Sequence, residues 1–173
     1  MDHPIRKDFQ LPHLNLRHAT SSDAEDILKA LLGLAHHVGE SEVVEIDRAA
    51  ILRDGFGDNP AFSVMIAEVD GVFAGMCLHF PTYSTWFGAR GIYVQDLFVM
   101  PDYRGMKLGE KLLARVAHEG EALGCNHLKL AVDIKNLGAQ KFYDRIGVLP
   151  LERDEMRMAM GGNFASLAAL GAD

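Results

Sequence analysis

Two apolar runs joined by a two-residue turn constrain this chain of 173 residues more than any other feature. The runs occupy residues 62–69 and 72–80, and Asp70 and Gly71 lie between them. An Asp-Gly pair between apolar runs is a strong hairpin signal, because both turn positions tolerate positive φ. The two runs are therefore predicted to pair as antiparallel strands.

Helices and further strands are predicted on both sides of this hairpin. A strand over residues 14–18 precedes two helices, the first capped by Thr20 and ending near Gly39, the second capped by Asp47. After the hairpin, the sequence predicts an irregular segment over 81–90, a strand over 92–99, a helix over 109–123, a strand over 127–132, a helix over 137–145 and a last strand over 155–160. This order is typical of the mixed α/β class with layered packing.

Length and composition predict one domain over residues 1–173, with a core over about 14–160 and a C-terminal tail over 161–173. The formal net charge of −7 opposes general affinity for nucleic acid or anionic membranes and suits a cationic ligand. No stretch has the apolar character of a leader or the length of a membrane span. Cys77 and Cys125 lie in apolar runs, where free thiols are commoner than a disulfide. We therefore expect a cytoplasmic protein that binds neither nucleic acid nor membranes.

The segment from Tyr103 to Gly109, Tyr-Arg-Gly-Met-Lys-Leu-Gly, lies between a predicted strand and a predicted helix. A glycine-bearing turn at such a junction directs backbone N–H groups and the positive end of the helix dipole toward an anion such as a phosphate. Arg104 adds a positive charge at the rim. Gly105 is also consistent with a simple turn, and the Gly-Lys-Ser/Thr ending of a nucleotide-binding loop is missing. From the residues alone, an anion site and a plain turn both stay open.

Several motifs together resemble the GNAT superfamily of N-acetyltransferases, and within it the spermidine/spermine (diamine/thialysine) N-acetyltransferase-like branch. Arg104 and Gly109 match the acetyl-CoA loop of the superfamily, Arg/Gln-x-x-Gly-x-Gly/Ala, whereas Lys107 stands where the middle glycine is usual. The similarity extends from about residue 16 to about residue 160. Its other motifs are the turn at 54–60, Tyr83-x-x-Trp86-x-Gly88, the strand end at 96–100 with the following residues 102–105, and the pair Phe142-Tyr143.

The resemblance implies a fold, a co-substrate and a set of binding residues. The implied fold is a mixed, mainly antiparallel central sheet flanked by helices on both faces. The implied co-substrate is acetyl-CoA, and no metal is expected, because the spacing typical of structural zinc is missing. The residues that the resemblance assigns to acetyl-CoA are Leu97, Phe98, Val99, Arg104, Gly105, Met106, Lys107, Leu108, Gly109, Glu110, Asn136 and Tyr143.

Acetyl transfer from a thioester to an amine needs a neutral amine, a stabilised oxyanion and a proton for the leaving thiolate. Tyr143 matches the family tyrosine proposed to supply that proton, and a phenol with a pKa of roughly 10 is protonated at neutral pH. Without the resemblance, the favoured interpretation of Tyr143 is an aromatic that packs its helix onto the sheet. The related polyamine enzymes carry a Glu-Asp pair where this chain has Gln95 and Asp96. Asp96 is therefore the candidate base, and the alternative is loss of the proton to water, with Asp96 accepting hydrogen bonds from strand-end N–H groups.

The candidate acceptor-binding residues are His37, Trp86, Gln95, Asp96 and Glu155. His37 and Val38 stand where the polyamine enzymes have a Tyr-Glu pair, and Ser84 stands where they have an aspartate. The expected acceptor is the primary amine of a small molecule, namely a diamine, a polyamine or an amino-acid-like compound. Because two carboxylates of the polyamine enzymes are absent, a smaller amine is favoured over spermine. Glu40, Glu42, Glu45 and Glu155 are the alternative source of negative charge for the acceptor, although exposed acidic residues in loops are usually only solvated.

The expected reaction is direct attack in a ternary complex, because no cysteine lies on the predicted active strand to carry an acyl group. Two alternatives are acetylation of a protein or peptide amine and a weakly catalytic acyl-CoA-binding regulatory module. The resemblance also implies a homodimer, since relatives of this branch pair through their C-terminal halves.

Overall fold

The computed structural model describes residues 12–39, 41–151 and 156–170. Its centre is a five-stranded sheet in the order β1-β2-β3-β4-β5. The first three pairings are antiparallel and the β4–β5 pairing is parallel. The strands are β1 (Leu14–His18), β2 (Ser63–Val69), β3 (Val72–Ser84), β4 (Ala89–Val99) and β5 (Cys125–Leu130).

Helices cover both faces of the sheet, which confirms the predicted mixed α/β class. One apolar cluster joins Ile27 and Ile51 to Met76 and Phe98 of the sheet, and the other joins Leu112 and further helical residues to the opposite sheet face. The helices are α1 (Ala24–Val38), α2 (Arg48–Phe56), α3 (Leu108–Ala122), α4 (Leu137–Arg145) and α5 (Gly161–Ala169). The first cluster contains α1 and α2, whereas the second contains α3 and receives side chains of α4. None of the helices in the described ranges has the length and apolarity needed to cross a bilayer.

The β2–β3 hairpin is confirmed. Val69 pairs with Val72 across the turn, and Asp70 and Gly71 have φ values of 52° and 78°. These angles are the positive φ values that a tight two-residue hairpin turn requires. The cap of α2 is also confirmed, because the Asp47 side chain accepts a hydrogen bond of 2.7 Å from the Ala50 N–H. Thr20 caps a short 3-10 turn, and α1 begins after it at Ala24.

The prediction that residues 81–90 are irregular is wrong for most of the segment. β3 continues to Ser84 and β4 begins at Ala89, so that the two strands form a second, longer hairpin. Pro81 is tolerated inside β3 because β2 ends its pairing at the Ser63–His79 pair. Beyond that pair β3 has a neighbour on one side only, and a proline can occupy the free edge without breaking a ladder hydrogen bond.

The predicted last strand is also wrong where the structure describes it. Residues 156–160 belong to no strand, and Glu155 lies outside the described residues. Apolar Met156, Met158 and Met160 alternate as in a strand, but none of the described strands pairs with them, and an extended segment without a partner leaves its backbone groups unpaired. The helix α5, which the sequence pattern did not predict, follows directly.

Candidate active site

A β-bulge in β4 arranges the polar residues of the predicted site. Asp96 pairs with Leu78 and Val94 pairs with His79, so Gln95 is an extra residue on β4 without a partner on β3. Consecutive side chains of a regular strand point to opposite faces, and a bulge breaks this alternation. As a result Gln95 and Asp96 line the same cavity, on the sheet face covered by α1.

β4 and β5 separate directly beyond this bulge. Their parallel pairing ends at Val94 and Leu130, and no described residue pairs with the β5 side of β4 after Val94. The backbone N–H and C=O groups of the last β4 residues on this side therefore have no strand partner among the described residues and can pair with an extended ligand. Leu97, Phe98 and Val99, which the sequence analysis assigned to the co-substrate, all lie in this unpaired part.

The loop before α3 follows the same strand end. A 3-10 turn at Pro101–Tyr103 leads into Arg104, whose Nε donates to the Val99 carbonyl over 3.3 Å. Gly105 has a φ of 84° and Lys107 a φ of 58°, so both lie in the left-handed region. Lys107 thus keeps the conformation that favours glycine, and as N-cap of α3 it exposes the first backbone N–H groups of the helix.

Gly109, by contrast, has a packing role. A Cβ atom there would lie 3.3 Å from the Phe142 ring and 3.7 Å from the Leu97 side chain. Glu110 lies in the first turn of α3, where a carboxylate complements the helix dipole. Met106 and the buried Leu108 contribute to the apolar cluster beneath α3. The loop therefore combines an exposed positive-φ segment with a first helical turn that is packed against β4 and α4.

Asn136 and Tyr143 lie at the two ends of α4. Asn136 is the N-cap, and its Oδ1 accepts a hydrogen bond of 3.0 Å from the Ala139 N–H. Tyr143 packs on the same cluster as Leu97 and Val99, with its ring 5.1 Å from that of Phe142. Burial raises the pKa of Tyr143 to about 12. The phenol is therefore held protonated at neutral pH, in the form that donates a proton.

A cavity of about 450 Å³ lies on the opposite face of β4, between the sheet, α1 and the α1–α2 connection. The Asp96 carboxyl lines it and accepts no hydrogen bond among the described residues. Burial raises the pKa of Asp96 to about 6, which brings it near the range of a general base. The cavity is lined by Leu31, Leu34, Ala35, Val38, Val44, Glu45, Ile46, Phe62, Leu78, Gln95 and Asp96.

Cys77 lies on β3 opposite Leu97, close enough to Asp96 for the two groups to interact. Burial raises the pKa of its thiol to about 12, with a further contribution from the Asp96 charge. A thiol with so high a pKa is not a nucleophile at neutral pH. Cys77 and Cys125 are both free. No group of three or more metal-binding side chains occurs within the part of the chain that the structure describes.

Only some of the predicted acceptor-binding residues lie close together in the structure. Gln95 and Asp96 share the cavity, whereas His37 is exposed on α1 and is not among its lining residues. Trp86 lies at the tip of the β3–β4 hairpin and is 89% exposed. The β4 segment from Ala89 to Gln95 places this tip about 20 Å along an extended strand from the cavity. Glu155 is outside the described residues.

The sequence did not predict the cavity walls, and it did not distinguish Glu45 from the other acidic residues considered as replacements for the missing carboxylates. Leu31 and Leu34 lie on one apolar face of α1, and their spacing alone does not distinguish a core face from the wall of a cavity. Glu45 was one of several acidic residues in a connection. Only its position beside the cavity sets it apart from Glu42 in the same connection.

Comparison with known proteins identifies the class to which this fold belongs. The model of the acetyltransferase (GNAT) family matches residues 25–148, and the chain belongs to this family. It is similar to the thialysine N-epsilon-acetyltransferase of Mus musculus, with 35% identity over 148 residues that cover 81% of this chain and 86% of the relative. The aminoalkylphosphonate N-acetyltransferase of Salmonella typhimurium is 32% identical over 149 residues, 82% and 89% of the two chains.

A solved structure gives the same fold. An aminoglycoside N-acetyltransferase in complex with CoA superposes with a TM-score of 0.70 over 87% of this chain and 97% of its own, at 19% sequence identity. The family and the relatives together identify the protein as an acyltransferase, which confirms the enzyme class expected from the sequence.

Proposed function

We propose that the protein transfers the acetyl group of acetyl-CoA to the primary amine of a small molecule, namely a diamine, a polyamine or an amino-acid-like compound. One observation carries the proposal. The bulged end of β4 presents an unpaired backbone edge where β5 separates from it, and presents Gln95 and Asp96 to a separate cavity under α1. A strand placed between two such sites brings an acyl donor and an amine together at one point.

Acetyl-CoA is assigned to the side of β4 that carries α3 and α4. The backbone groups of Leu97 to Val99 that point away from β3 have no strand partner and suit the amide-bearing arm of CoA, which can pair with them as an added strand does. Among them, the Val99 carbonyl also accepts a hydrogen bond from Arg104 Nε. The first backbone N–H groups of α3 have no partner within the helix and, with Arg104 and Lys107 beside them, suit its pyrophosphate. Asn136 keeps its side-chain NH₂ available for the same arm, because its cap uses only Oδ1.

The acceptor amine is assigned to the cavity that Asp96 lines. Its nitrogen attacks the thioester carbonyl, a C–N bond forms and the C–S bond breaks. Before the attack, the acceptor ammonium loses one proton to Asp96 or to water. Tyr143 donates its phenolic proton to the leaving sulfur, and the second proton that the nitrogen loses as the amide forms restores the phenol through solvent. The high pKa of Cys77 supports direct transfer in a ternary complex rather than an acyl-cysteine intermediate.

The shape of the cavity favours a small acceptor. About 450 Å³ is within the usual range for small-molecule pockets, and most of its lining is aliphatic. A protein substrate would need an extended groove for the residues that flank its lysine or N-terminus. Two of the relatives support this choice, because they are named for the acetylation of thialysine and of aminoalkylphosphonates.

We also propose that the protein is a homodimer that assembles through its C-terminal segment. No residue of α5 is buried, and β5 is an edge strand of the described sheet. Apolar side chains that are 60–79% exposed lie together in this segment, namely Met156, Met158, Met160, Phe164, Leu167 and Leu170. Exposed apolar surface of this kind marks interaction sites. Sedimentation of the full chain should give a dimer and Phe164→Asp should shift it to a monomer, whereas a wild-type monomer at micromolar concentration contradicts the proposal.

The cytoplasm is the compartment that fits the free thiols. Cys77 and Cys125 have no disulfide partner, and free thiols persist in reducing compartments. We propose that the protein acts in the cytoplasm. Fractionation of the native host, with an antibody against the protein, tests the assignment.

A CoA-release assay over a panel of acceptors tests the proposed function. The panel contains diamines, polyamines, basic amino acids, aminoglycosides and a lysine-containing peptide, each with acetyl-CoA in excess. Turnover should be highest with a small primary amine. CoA binding without turnover on any amine would favour the regulatory module, and selective turnover with the peptide would favour a protein acceptor.

A further inference from the structure

The cavity under α1 is charged at two places and aliphatic between them. Among its lining residues only Asp96 and Glu45 are carboxylates, and none is cationic. Asp96 lies in β4 and is half-buried, whereas Glu45 lies in the α1–α2 connection and is exposed. The two carboxylates therefore occupy the floor and the mouth of the same cavity.

The walls between floor and mouth suit a methylene chain. Leu31, Leu34, Ala35 and Val38 follow the i, i+3, i+4, i+7 spacing of one face of α1. Phe62 and Leu78 face them from the sheet side. A volume of about 450 Å³ corresponds to a space roughly 10 Å across, and an extended alkyl chain of about five carbons spans most of that distance.

Glu45 has no structural task within the described residues. No hydrogen bond or ion pair of Glu45 occurs there, whereas other carboxylates of the fold are in use. Glu68 pairs with Arg17 over 2.7 Å, and Glu119 pairs with Arg115 over 2.6 Å. The charge at the mouth of the cavity is thus available to a ligand.

We propose that Glu45 determines acceptor specificity by binding a second positive charge of the acceptor at the mouth of the cavity, while the reacting amine lies at Asp96. The same charge repels acceptors whose far end is anionic. This inference rests on the proposed function and adds a rule to it. For acceptors with the same reacting amine and the same chain length, kcat/KM decreases from a cationic tail to a neutral tail and is lowest for an anionic tail.

Three acceptors of equal length separate these effects: a linear diamine, the matching n-alkylamine and the matching aminoalkylphosphonate. For the wild type, kcat/KM should fall by about fivefold from the diamine to the alkylamine, which is the size of one exposed ion pair, and further for the phosphonate. Glu45→Gln should remove most of this discrimination and leave the alkylamine unchanged. Glu45→Lys should reverse the order. The discrimination of the wild type should shrink as salt concentration rises.

Glu42→Gln is the matched control. Glu42 is an exposed carboxylate of the same connection that does not line the cavity, so its removal should leave all three ratios at wild-type values. Equal losses on all three acceptors in Glu45→Gln, or an unchanged diamine-to-alkylamine ratio, would overturn the role of Glu45. So would a Glu42→Gln variant with the same effect as Glu45→Gln.

Calorimetric binding separates this proposal from the proposed function. The three compounds are titrated into the wild type and Glu45→Gln without acetyl-CoA. Weaker diamine binding in the variant, with unchanged alkylamine binding, supports Glu45 even if no compound is acetylated, and the proposed function alone then fails. Identical diamine affinities for both proteins contradict the role of Glu45 even if turnover is observed.

Discussion

Replacing Asp96 by Asn should stabilise the protein and inactivate it at the same time. Burial raises the pKa of Asp96 from its ordinary 3.8 to about 6, so the folded state holds this proton more tightly than the unfolded chain does. Between the two values the unfolded state releases its proton first, and the stability of the wild type therefore falls as the pH rises. A difference of about two pKa units corresponds to a cost of about 3 kcal/mol once both states are ionised.

Asn carries no charge and lacks this pH-dependent cost. The free energy of unfolding of Asp96→Asn, relative to the wild type, should increase by about 1 to 2 kcal/mol between pH 5 and pH 8. Urea unfolding followed by circular dichroism at pH 5, 6.5 and 8 measures the difference. A difference between variant and wild type that stays constant over this range would refute the raised pKa.

Whereas the stability of Asp96→Asn should increase, its catalytic activity should decrease. If Asp96 accepts the proton of the amine, kcat/KM of Asp96→Asn should fall by about 100-fold or more. Asp102→Asn is the matched control, since Asp102 is an exposed carboxylate just after the same strand. Wild-type activity of Asp96→Asn across pH excludes it as the base and leaves water as the acceptor of the proton.

Three further predictions concern other parts of the fold. Tyr143→Phe should lower kcat with little change in the acetyl-CoA dissociation constant measured by calorimetry; unchanged kcat refutes proton donation. Lys107→Gly should raise the free energy of unfolding by about 0.5 to 1 kcal/mol, because Lys107 has a φ of 58° and glycine adopts this region freely; a loss of stability in urea unfolding contradicts the strain. Asp23→Asn should destabilise the protein by about 2 kcal/mol at pH 7, because the Arg17 guanidinium lowers the pKa of Asp23 to about 2. This stabilisation is lost as the pH falls through that value, so the difference in the free energy of unfolding between wild type and Asp23→Asn should shrink toward pH 2. A difference that stays constant with pH contradicts the lowered pKa.

Local signals account for the parts of the fold that the sequence predicted well. Asp70 and Gly71 dictate their hairpin through backbone conformation alone, and α4 has the predicted bounds because Asn136 caps it and Gly147 follows it with a φ of 81°. These signals act over a few residues. They can therefore be recognised in the sequence without knowledge of the tertiary contacts.

Features that depend on partners across the sheet were not predictable in this way. The strand character of Pro81 depends on where β2 stops pairing, and the alternating methionines of residues 156–160 form no strand because no described strand adjoins them. The bulge at Gln95 results from a shift in the register between β3 and β4. Sequence similarity predicted that Gln95 and Asp96 lie at the acceptor site, but only the register explains why both line one cavity.

The position of β4 between two separate openings has a kinetic consequence. On the proposed function, acetyl-CoA enters where β4 and β5 part, and the amine enters beside Glu45 under α1. Neither molecule has to pass the place of the other, so neither is required to bind first. Each opening is also bordered by its own set of elements, with α3 and α4 on one side and α1 and the α1–α2 connection on the other. Substitutions in α1 and in the α1–α2 connection can therefore change the specificity for the acceptor without altering the acetyl-CoA site.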